Sequence, residues 1–269
     1  NMNSLIDRTT VESIRSTGKT NKDLPDRIPV LEKFGFVYDK PAENVIMSGC
    51  QIMQSMPELL SPLIRLFEQT GFSYSFLSRE YCCGNYLYRP AIKAKDESAM
   101  EECRMLSKEF VGKNLEQAKE LGAKRIIIFC SPCYPIYRHA FADEPIVFYP
   151  EAIDELVEPM DVAGSIDYYP GCYRLHKKFS PAPMDLASTS RILKKFKGLE
   201  VNRIGAPKCC YHPGGLEHMI KSVSTKNMLH ICTGCYAQAV MNMPSENSVN
   251  VMMLPEFVEK ALAGQKFSD

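Results

Sequence analysis

Ten of the chain's eleven cysteines fall into one five-cysteine pattern written twice. The first copy is Cys50, then Cys82-Cys83, then Cys130-Ser131-Pro132-Cys133. The second is Cys172, then Cys209-Cys210, then Cys232-Thr233-Gly234-Cys235. A single, an adjacent pair and a C-x-x-C, in the same order twice, demand a fold that brings distant segments to two common points.

The stretches between the cysteines say which fold does this. Asn44–Met47 is a short apolar strand ending near Cys50. Pro57–Thr70 has leucines at helical spacing with Gly71 as a stop, and Phe72–Phe76 alternates like a strand. Lys95–Leu121 is helical by pattern, and strand Arg125–Phe129 runs into Cys130. The second half keeps this order, with strand Ser165–Tyr169, helix Leu186–Lys197, strand Glu200–Ile204 and strand Met228–Ile231. Each half ends with one more strand and helix, Ile146–Phe148 with Glu151–Val157 and Val249–Leu254 with Glu256–Ala263. Strands alternating with helices predict an α/β fold of two pseudo-repeated Rossmann-like domains with mainly parallel sheets. The expected divisions are an N-terminal arm over 1–42, broken by Pro25, Pro29 and Pro41, a first domain over 43–160 and a second over 161–269. Every cysteine group follows a predicted strand, and ligands of open α/β sheets bind outside the carboxyl ends of the strands. Three strand ends per half therefore gather five sulfurs at one place.

Composition narrows the function. Lys plus Arg and Asp plus Glu number 32 each, so no net charge points to nucleic acid or a membrane surface. No apolar run approaches the roughly 18 residues of a membrane span. The first residues, with Asp7, Arg8, Glu12, Arg15 and Lys19, hold no apolar signal core, which predicts a cytoplasmic protein. In a reducing compartment, clustered cysteines bind metal or do redox work more often than they form structural disulfides.

Four chemistries compete for the cysteines. A structural zinc site takes four ligands, and each set here offers five. Disulfides are disfavoured by the odd count and by the strain of bridging neighbouring residues. A thioredoxin-like C-x-x-C leaves three cysteines per copy unused. Iron–sulfur clusters use soft thiolates, and a polynuclear core can share five of them. Gathering about five thiolates without metal cations to neutralise them would be prohibitive. The ferredoxin run C-x2-C-x2-C-x3-C is absent, so ordinary electron-wire clusters must sit on a partner.

On these residues the chain resembles the CCG, or cysteine-rich, domain family, and the two-copy form is similar to the B subunits of heterodisulfide reductases. The resemblance spans roughly residues 43–265. It implies two non-cubane 4Fe-4S clusters, one on Cys50, Cys82, Cys83, Cys130 and Cys133, the other on Cys172, Cys209, Cys210, Cys232 and Cys235. It implies an oxidoreductase subunit acting on a small disulfide or thiol, fed by a ferredoxin-like iron–sulfur subunit of a larger complex. The alternative is a non-catalytic electron-transfer CCG subunit of a succinate-, lactate- or glycolate-type dehydrogenase, delivering to a quinone or other acceptor. The chain departs from the family pattern in its long gap from Cys83 to Cys130 and its short gap from Cys210 to Cys232. It also lacks the glycine after Cys209-Cys210, where Tyr211-His212-Pro213-Gly214-Gly215 follows. The short gap predicts a lost helix over the second site.

Smaller signals complete the reading. Arg174, His176, Lys177 and Lys178 follow Cys172 and Lys208 precedes Cys209, so a basic face could attract an anionic substrate. Arg89, Arg138 and His139 lie near the first motif. His212 is a candidate proton donor to a departing thiolate, with a structural hydrogen-bonding role as its rival. His218 and His230 read as structural. Cys103, with Met100, Leu106 and Phe110 on one helix face, reads as a buried small hydrophobe. Tyr81, Tyr86, Tyr134, Tyr173, Tyr211 and Tyr236 recur beside cysteines and read as packing that limits water. No Gly-rich nucleotide loop is present.

Overall fold

The computed structural model describes residues 3–171 and 184–268. They form two compact units, residues 3–61 with 67–148, and residues 62–66 with 149–171 and 184–268. Each unit is built on a four-stranded, all-parallel sheet with flanking helices.

The first sheet comprises β1 (Asn44–Met47), β2 (Tyr74–Phe76), β3 (Arg125–Ile128) and β4 (Ile146–Phe148), in the order β2-β1-β3-β4. Every residue of β1 is buried, as a strand covered on both faces requires. Parallel neighbours cannot be joined by hairpins, so helices carry the chain back between them. These include α3 (Cys50–Ser55), α4 (Ser61–Thr70), α5 (Tyr88–Ala94), α6 (Glu97–Glu120) and α7 (Cys133–Ala140). The Asp96 side chain caps α6 by accepting from the Ala99 N–H at 2.9 Å. Ahead of the sheet lie α1 (Arg8–Thr17) and α2 (Ile28–Lys33), with Val11, Ile14 and Leu31 fully buried. Burying such side chains contributes about 1.5–3 kcal/mol each.

The second sheet comprises β5 (Met160–Tyr169), β6 (Phe196–Arg203), β7 (Asn227–His230) and β8 (Asn250–Met253), in the order β6-β5-β7-β8. Its helices are α8 (Tyr149–Leu156), α9 (Ala187–Lys195), α10 (Pro213–Lys221), α11 (Thr233–Asn242) and α12 (Leu254–Leu262). Near the end of β5, the buried Asp167 carboxylate accepts from the backbone N–H groups of Ser224 and Thr225, both at 2.8 Å. The Asn202 amide and the Ser224 hydroxyl also donate to it, at 2.6 and 2.8 Å. Burial alone would push this carboxyl up, but the backbone donors, with Asn202 and Ser224, outweigh it and hold Asp167 below the usual carboxylate range.

The two halves place their cysteines at identical offsets along the chain. Cys50, Cys82 and Cys130 stand at the third, sixth and second positions beyond the ends of β1, β2 and β3. Cys172, Cys209 and Cys232 stand at the third, sixth and second positions beyond the ends of β5, β6 and β7. The unequal motif gaps come from elsewhere. The stretch between Cys83 and β3 is spanned by α5 and the long α6, whereas α10 alone spans the stretch between Cys210 and β7. With the offsets equal, that difference accounts for the whole contrast between the two gaps. The second crossover therefore has one helix fewer than the first, yet it keeps α10 where a lost helix was expected.

Candidate functional site

The first cysteine set converges at the carboxyl ends of β1, β2 and β3. Cys50 opens α3, Cys82-Cys83 follows β2, and Cys130 precedes α7, which begins at Cys133. The Cys50 and Cys82 sulfurs are 3.4 Å apart, and those of Cys83 and Cys133 are 3.1 Å apart. Gly49 brings Cys130 in, for a Cβ built on Gly49 would lie 2.5 Å from the Cys130 Cβ and 3.0 Å from its sulfur. Its φ of +87° is also a conformation that side-chain-bearing residues avoid.

Neighbouring thiols perturb one another strongly. The Cys82 sulfur, followed by burial, pushes the Cys50 thiol well up. Cys50 pulls Cys82 down, but Cys83 and burial outweigh it and push Cys82 well up. Cys130, then Cys83, then burial push Cys133 well up. Cys83 is lowered, to about 6, because Cys133 and then Cys82 donate to its sulfur. Cys83 is thus an easy thiolate beside the raised thiols of Cys50, Cys82 and Cys133. Loading it with cations must release protons.

The backbone around the pair is held by α6. Asn114, fully buried, accepts from the Tyr81 N–H through Oδ1 and donates through Nδ2 to the Tyr81 carbonyl, both at 2.7 Å. Its amide also donates to the Tyr137 hydroxyl at 2.7 Å. Two turns earlier on the same stripe, Ser107 donates to the Cys83 carbonyl at 2.7 Å and accepts from Tyr88 at 3.1 Å. The Cys82 N–H donates to the Gly18 carbonyl at 2.8 Å, at the end of α1. Sequence reading missed Ser107 and Asn114. Two polar residues seven apart on the apolar stripe of α6 were the available signal.

The four described cysteines of the second set are placed by the same logic with other parts. Cys210, Cys232 and Cys235 are buried and Cys209 is half-buried. Burial, then the charges of Cys210, Cys232, Cys235 and Cys209 in turn, push the Tyr211 phenol up, so one ring lies in reach of all four. A Cβ built on Gly171, whose φ is +84°, would lie 3.2 Å from the Cys232 Cβ and 3.9 Å from the Cys235 sulfur. That places the residue before Cys172 where Gly49 stands in the first set. The Tyr169 hydroxyl donates to the Lys208 carbonyl at 2.6 Å and accepts from the Lys208 N–H at 3.0 Å. It grips the residue before Cys209-Cys210 as Asn114 grips Tyr81. A Cβ on Gly215 would meet the Cys209 carbonyl oxygen at 2.0 Å, so the glycine after the pair is replaced by one that admits this backbone to the start of α10.

Of the other expected residues, Lys208 and His212 are exposed, and His212 precedes α10 as its N-cap. Cys172, Tyr173, Arg174, His176, Lys177 and Lys178 lie outside the described residues. His230 is fully buried, and burial pulls it down to about 3. His218 Nε2 lies 3.0 Å from the Gly205 carbonyl. Arg138 donates to the carbonyls of Ala142 and Glu144, whereas Arg89 is exposed. Burial, then Arg104, lowers His139. Cys103 stands apart from both sets, fully buried, its thiol donating to the Leu87 carbonyl at 3.4 Å and pushed up to about 11 by burial. Tyr134 packs on Phe148, ring centroids 5.3 Å apart, while Tyr86 and Tyr211 are exposed.

The donor chemistry fits a polynuclear sulfur-bound metal group. Close pairs of soft donors, with Gly49 leaving no room for a side chain beside Cys130, suit a core that shares thiolates between metals. Among the described residues, no three His, Cys, Asp or Glu side chains stand ready around a single ion. Nor is any described helix long and apolar enough to cross a membrane.

Comparison with known proteins agrees over part of the chain. The D subunits of dihydromethanophenazine:CoB--CoM heterodisulfide reductase from Methanosarcina barkeri and Methanosarcina mazei are 27% and 28% identical over 114 residues. That stretch is 42% of this chain and 26% of those relatives, so the chain corresponds to about a quarter of their length. A crystal structure of a putative Asp/Glu racemase from Yersinia pestis aligns over 82% of this chain and 98% of its own, at 11% identity and a TM-score of 0.38. An aspartate racemase homologue from Pyrococcus horikoshii gives 13% identity and 0.34 over the same shares. Scores this low bear on neither fold nor activity. Residues 45–135, which carry the whole first cysteine set, match the cysteine-rich domain (CCG) family.

Proposed function

We propose that the protein is an iron–sulfur subunit of a multi-subunit oxidoreductase. In this reading it resembles the disulfide-reducing B subunits of heterodisulfide reductases and holds two non-cubane 4Fe-4S clusters. The observation that supports it is the close approach of Cys50 to Cys82 and of Cys83 to Cys133, at 3.4 and 3.1 Å, on a topology repeated with the same strand-to-cysteine offsets in the second half. Cys50, Cys82, Cys83, Cys130 and Cys133 hold one cluster. Cys172, Cys209, Cys210, Cys232 and Cys235 hold the other.

Iron–sulfur groups supply one-electron transfer and sites that can bind sulfur. Cleaving a disulfide takes two electrons and two protons and yields two thiols. When bound at both sets, such groups would supply those electrons one at a time, with a ferredoxin-like partner subunit as their source. The chain's own residues bind, orient and protonate. Lys208, with Arg174 and His176, attracts an anionic disulfide or thiol. His212, exposed one residue past Tyr211, hands a proton to the departing thiolate. The compartment is the reducing cytoplasm.

Anaerobic reconstitution, iron counting and paramagnetic resonance test this. About eight irons per chain are expected for two four-iron groups. About four would mean one empty set and end the paired mechanism. A colourless protein with stoichiometric zinc would end the redox reading altogether. If both sets fill but the spectrum ignores added thiols and disulfides, the chain is the electron-transfer subunit of a dehydrogenase complex. His212→Gln should lower turnover by about 10²-fold or more with iron retained, and unchanged turnover removes it from the mechanism.

A further inference from the structure

One buried ion pair beside the first cysteine set has no counterpart among the described residues of the second. Glu80 lies two residues before Cys82 and is 7% exposed. Its Oε1 accepts from the Gly49 N–H at 2.8 Å, and its Oε2 accepts from the Ser48 N–H at 3.0 Å and the Ser48 hydroxyl at 2.9 Å. One carboxylate thus ties the turn that presents Cys50 to the turn that presents Cys82-Cys83. Arg27 completes it, with Nη2 3.0 Å from Glu80 Oε2 and 3.1 Å from the Ser48 hydroxyl, and Nε 3.2 Å from the Leu77 carbonyl. The side chains of the pair are only 9% and 4% exposed. Both Cys50 and Tyr137 lie within electrostatic reach of the carboxylate.

The second half cannot repeat this arrangement. The residue two before its cysteine pair is Pro207, and the residue two before Cys172 is Pro170 where the first half has Ser48. Neither proline offers a carboxylate or an N–H. A buried charge pair costs desolvation that apolar packing would avoid, so its presence at the first set, with no counterpart among the described residues of the second, points to a local task.

We propose that Glu80, locked by Arg27, is a positioning residue that spaces Cys50 from Cys82-Cys83 and sets the electrostatic environment of the first metal group independently of the second. The proposal rests on the functional reading above. Each charge acts on the one-electron couple in its own direction. Removing the carboxylate favours the reduced, more negative form of the metal group, and removing the guanidinium disfavours it.

The test uses the full chain with Cys209 and Cys210 both changed to alanine, so that the signal comes from the first set. Glu80→Gln and Arg27→Gln are reconstituted anaerobically and titrated with dithionite under paramagnetic resonance. Glu80→Gln should shift the midpoint potential upward and Arg27→Gln downward. Both should lower iron occupancy, and Arg27→Lys should restore most of it. A merely structural pair would lower thermal stability in both variants without opposed shifts. If either variant fails to fold, Ser48→Ala replaces it: loss of one donor to Glu80 should weaken iron retention with little change in the melting temperature of the apoprotein. Shifts in the same direction, no shifts, or unchanged iron retention in Ser48→Ala overturn the proposal. Parent protein without iron at the first set removes the functional reading along with it. Parent protein with iron but unresponsive variants removes this inference alone.

Discussion

The two halves solve one geometric problem with different residues. Both sheets have the order in which the first strand is flanked by the second and third, and both halves place their cysteines at the same offsets past corresponding strands. Both place a glycine of left-handed φ before the lone cysteine, at +87° for Gly49 and +84° for Gly171. Both grip the backbone of the residue before the pair with one side chain. The grip itself differs: Asn114 reaches in from a long helix that the second half lacks, whereas Tyr169 comes from the end of β5. What is held in common is therefore the position of backbone and sulfur. The supporting side chains change with whatever element is at hand.

The largest expected effect separates the two glycines. Gly49→Ala drives a methyl group to 2.5 Å from the Cys130 Cβ, a contact that backbone on both sides makes hard to relieve. Gly171→Ala meets the Cys232 Cβ at 3.2 Å, which a shift of a few tenths of an ångström relieves. Both also incur about 1–2 kcal/mol of left-handed backbone strain. Iron counting should show the first set lost in Gly49→Ala and most of the second set kept in Gly171→Ala. Equal loss would mean that strain, not the closeness of the sulfurs, dominates.

Next come the grips. Asn114→Ala strips partners from the Tyr81 N–H, the Tyr81 carbonyl and the Tyr137 hydroxyl, the last of which is buried. Stranded buried groups cost about 1–3 kcal/mol each before relaxation, so a loss of ~3–4 kcal/mol is expected in urea unfolding. Tyr169→Phe strands two groups of the exposed residue Lys208 and should cost about 1–2 kcal/mol. A reversed ranking would show that the second half depends on its grip more than its geometry implies.

Asp167 marks a second contrast, since the position two residues before the end of β1 is the apolar Val45. Its carboxyl is held below the range of an unfolded chain, about 3.9. The stability it contributes is thus present above that value and lost as pH falls through the lower folded value. Asp167→Asn should cost ~2–3 kcal/mol near neutral pH, and the gap from the parent should narrow below about pH 4. A gap that does not vary with pH would assign the loss to packing.

Much of this was legible in the sequence, for identifiable reasons. Asn44–Met47, Arg125–Ile128 and Ile146–Phe148 are short apolar runs, and such runs form buried parallel strands almost wherever they sit between helices. The approach of Cys50 to Cys82 and of Cys83 to Cys133 was legible because strand ends share one edge of the sheet. Less legible were α7 and α11, which begin within the two C-x-x-C motifs, because Pro132, Pro135 and Gly234 mask a short helical pattern. β5 and β6 extend further than expected, since Asp161 and Gly164 read as loop while an irregular register lets them pair. The Arg27 to Glu80 tie joins residues far apart along the chain, and no local pattern announces it.

The smallest effect concerns the residues just before the two pairs. Tyr81 is half-buried, with the Lys113 ammonium 4.8 Å and the Arg79 guanidinium 5.1 Å from its ring centroid, so the cations nearby are engaged by the ring. Lys208 holds the same place before the second pair and is exposed. An exposed cation acts on an anionic substrate mainly through a screened, long-range field. Lys208→Gln should therefore raise KM for an anionic disulfide about two- to threefold at low ionic strength, leave kcat unchanged, and converge on the parent near 1 M salt, where the screening length falls to about 3 Å. Tyr81→Phe removes no charge and should leave both constants unchanged. If Lys208→Gln still differs from the parent at high salt, the lysine binds substrate by direct contact and the second half carries the substrate side of the reaction.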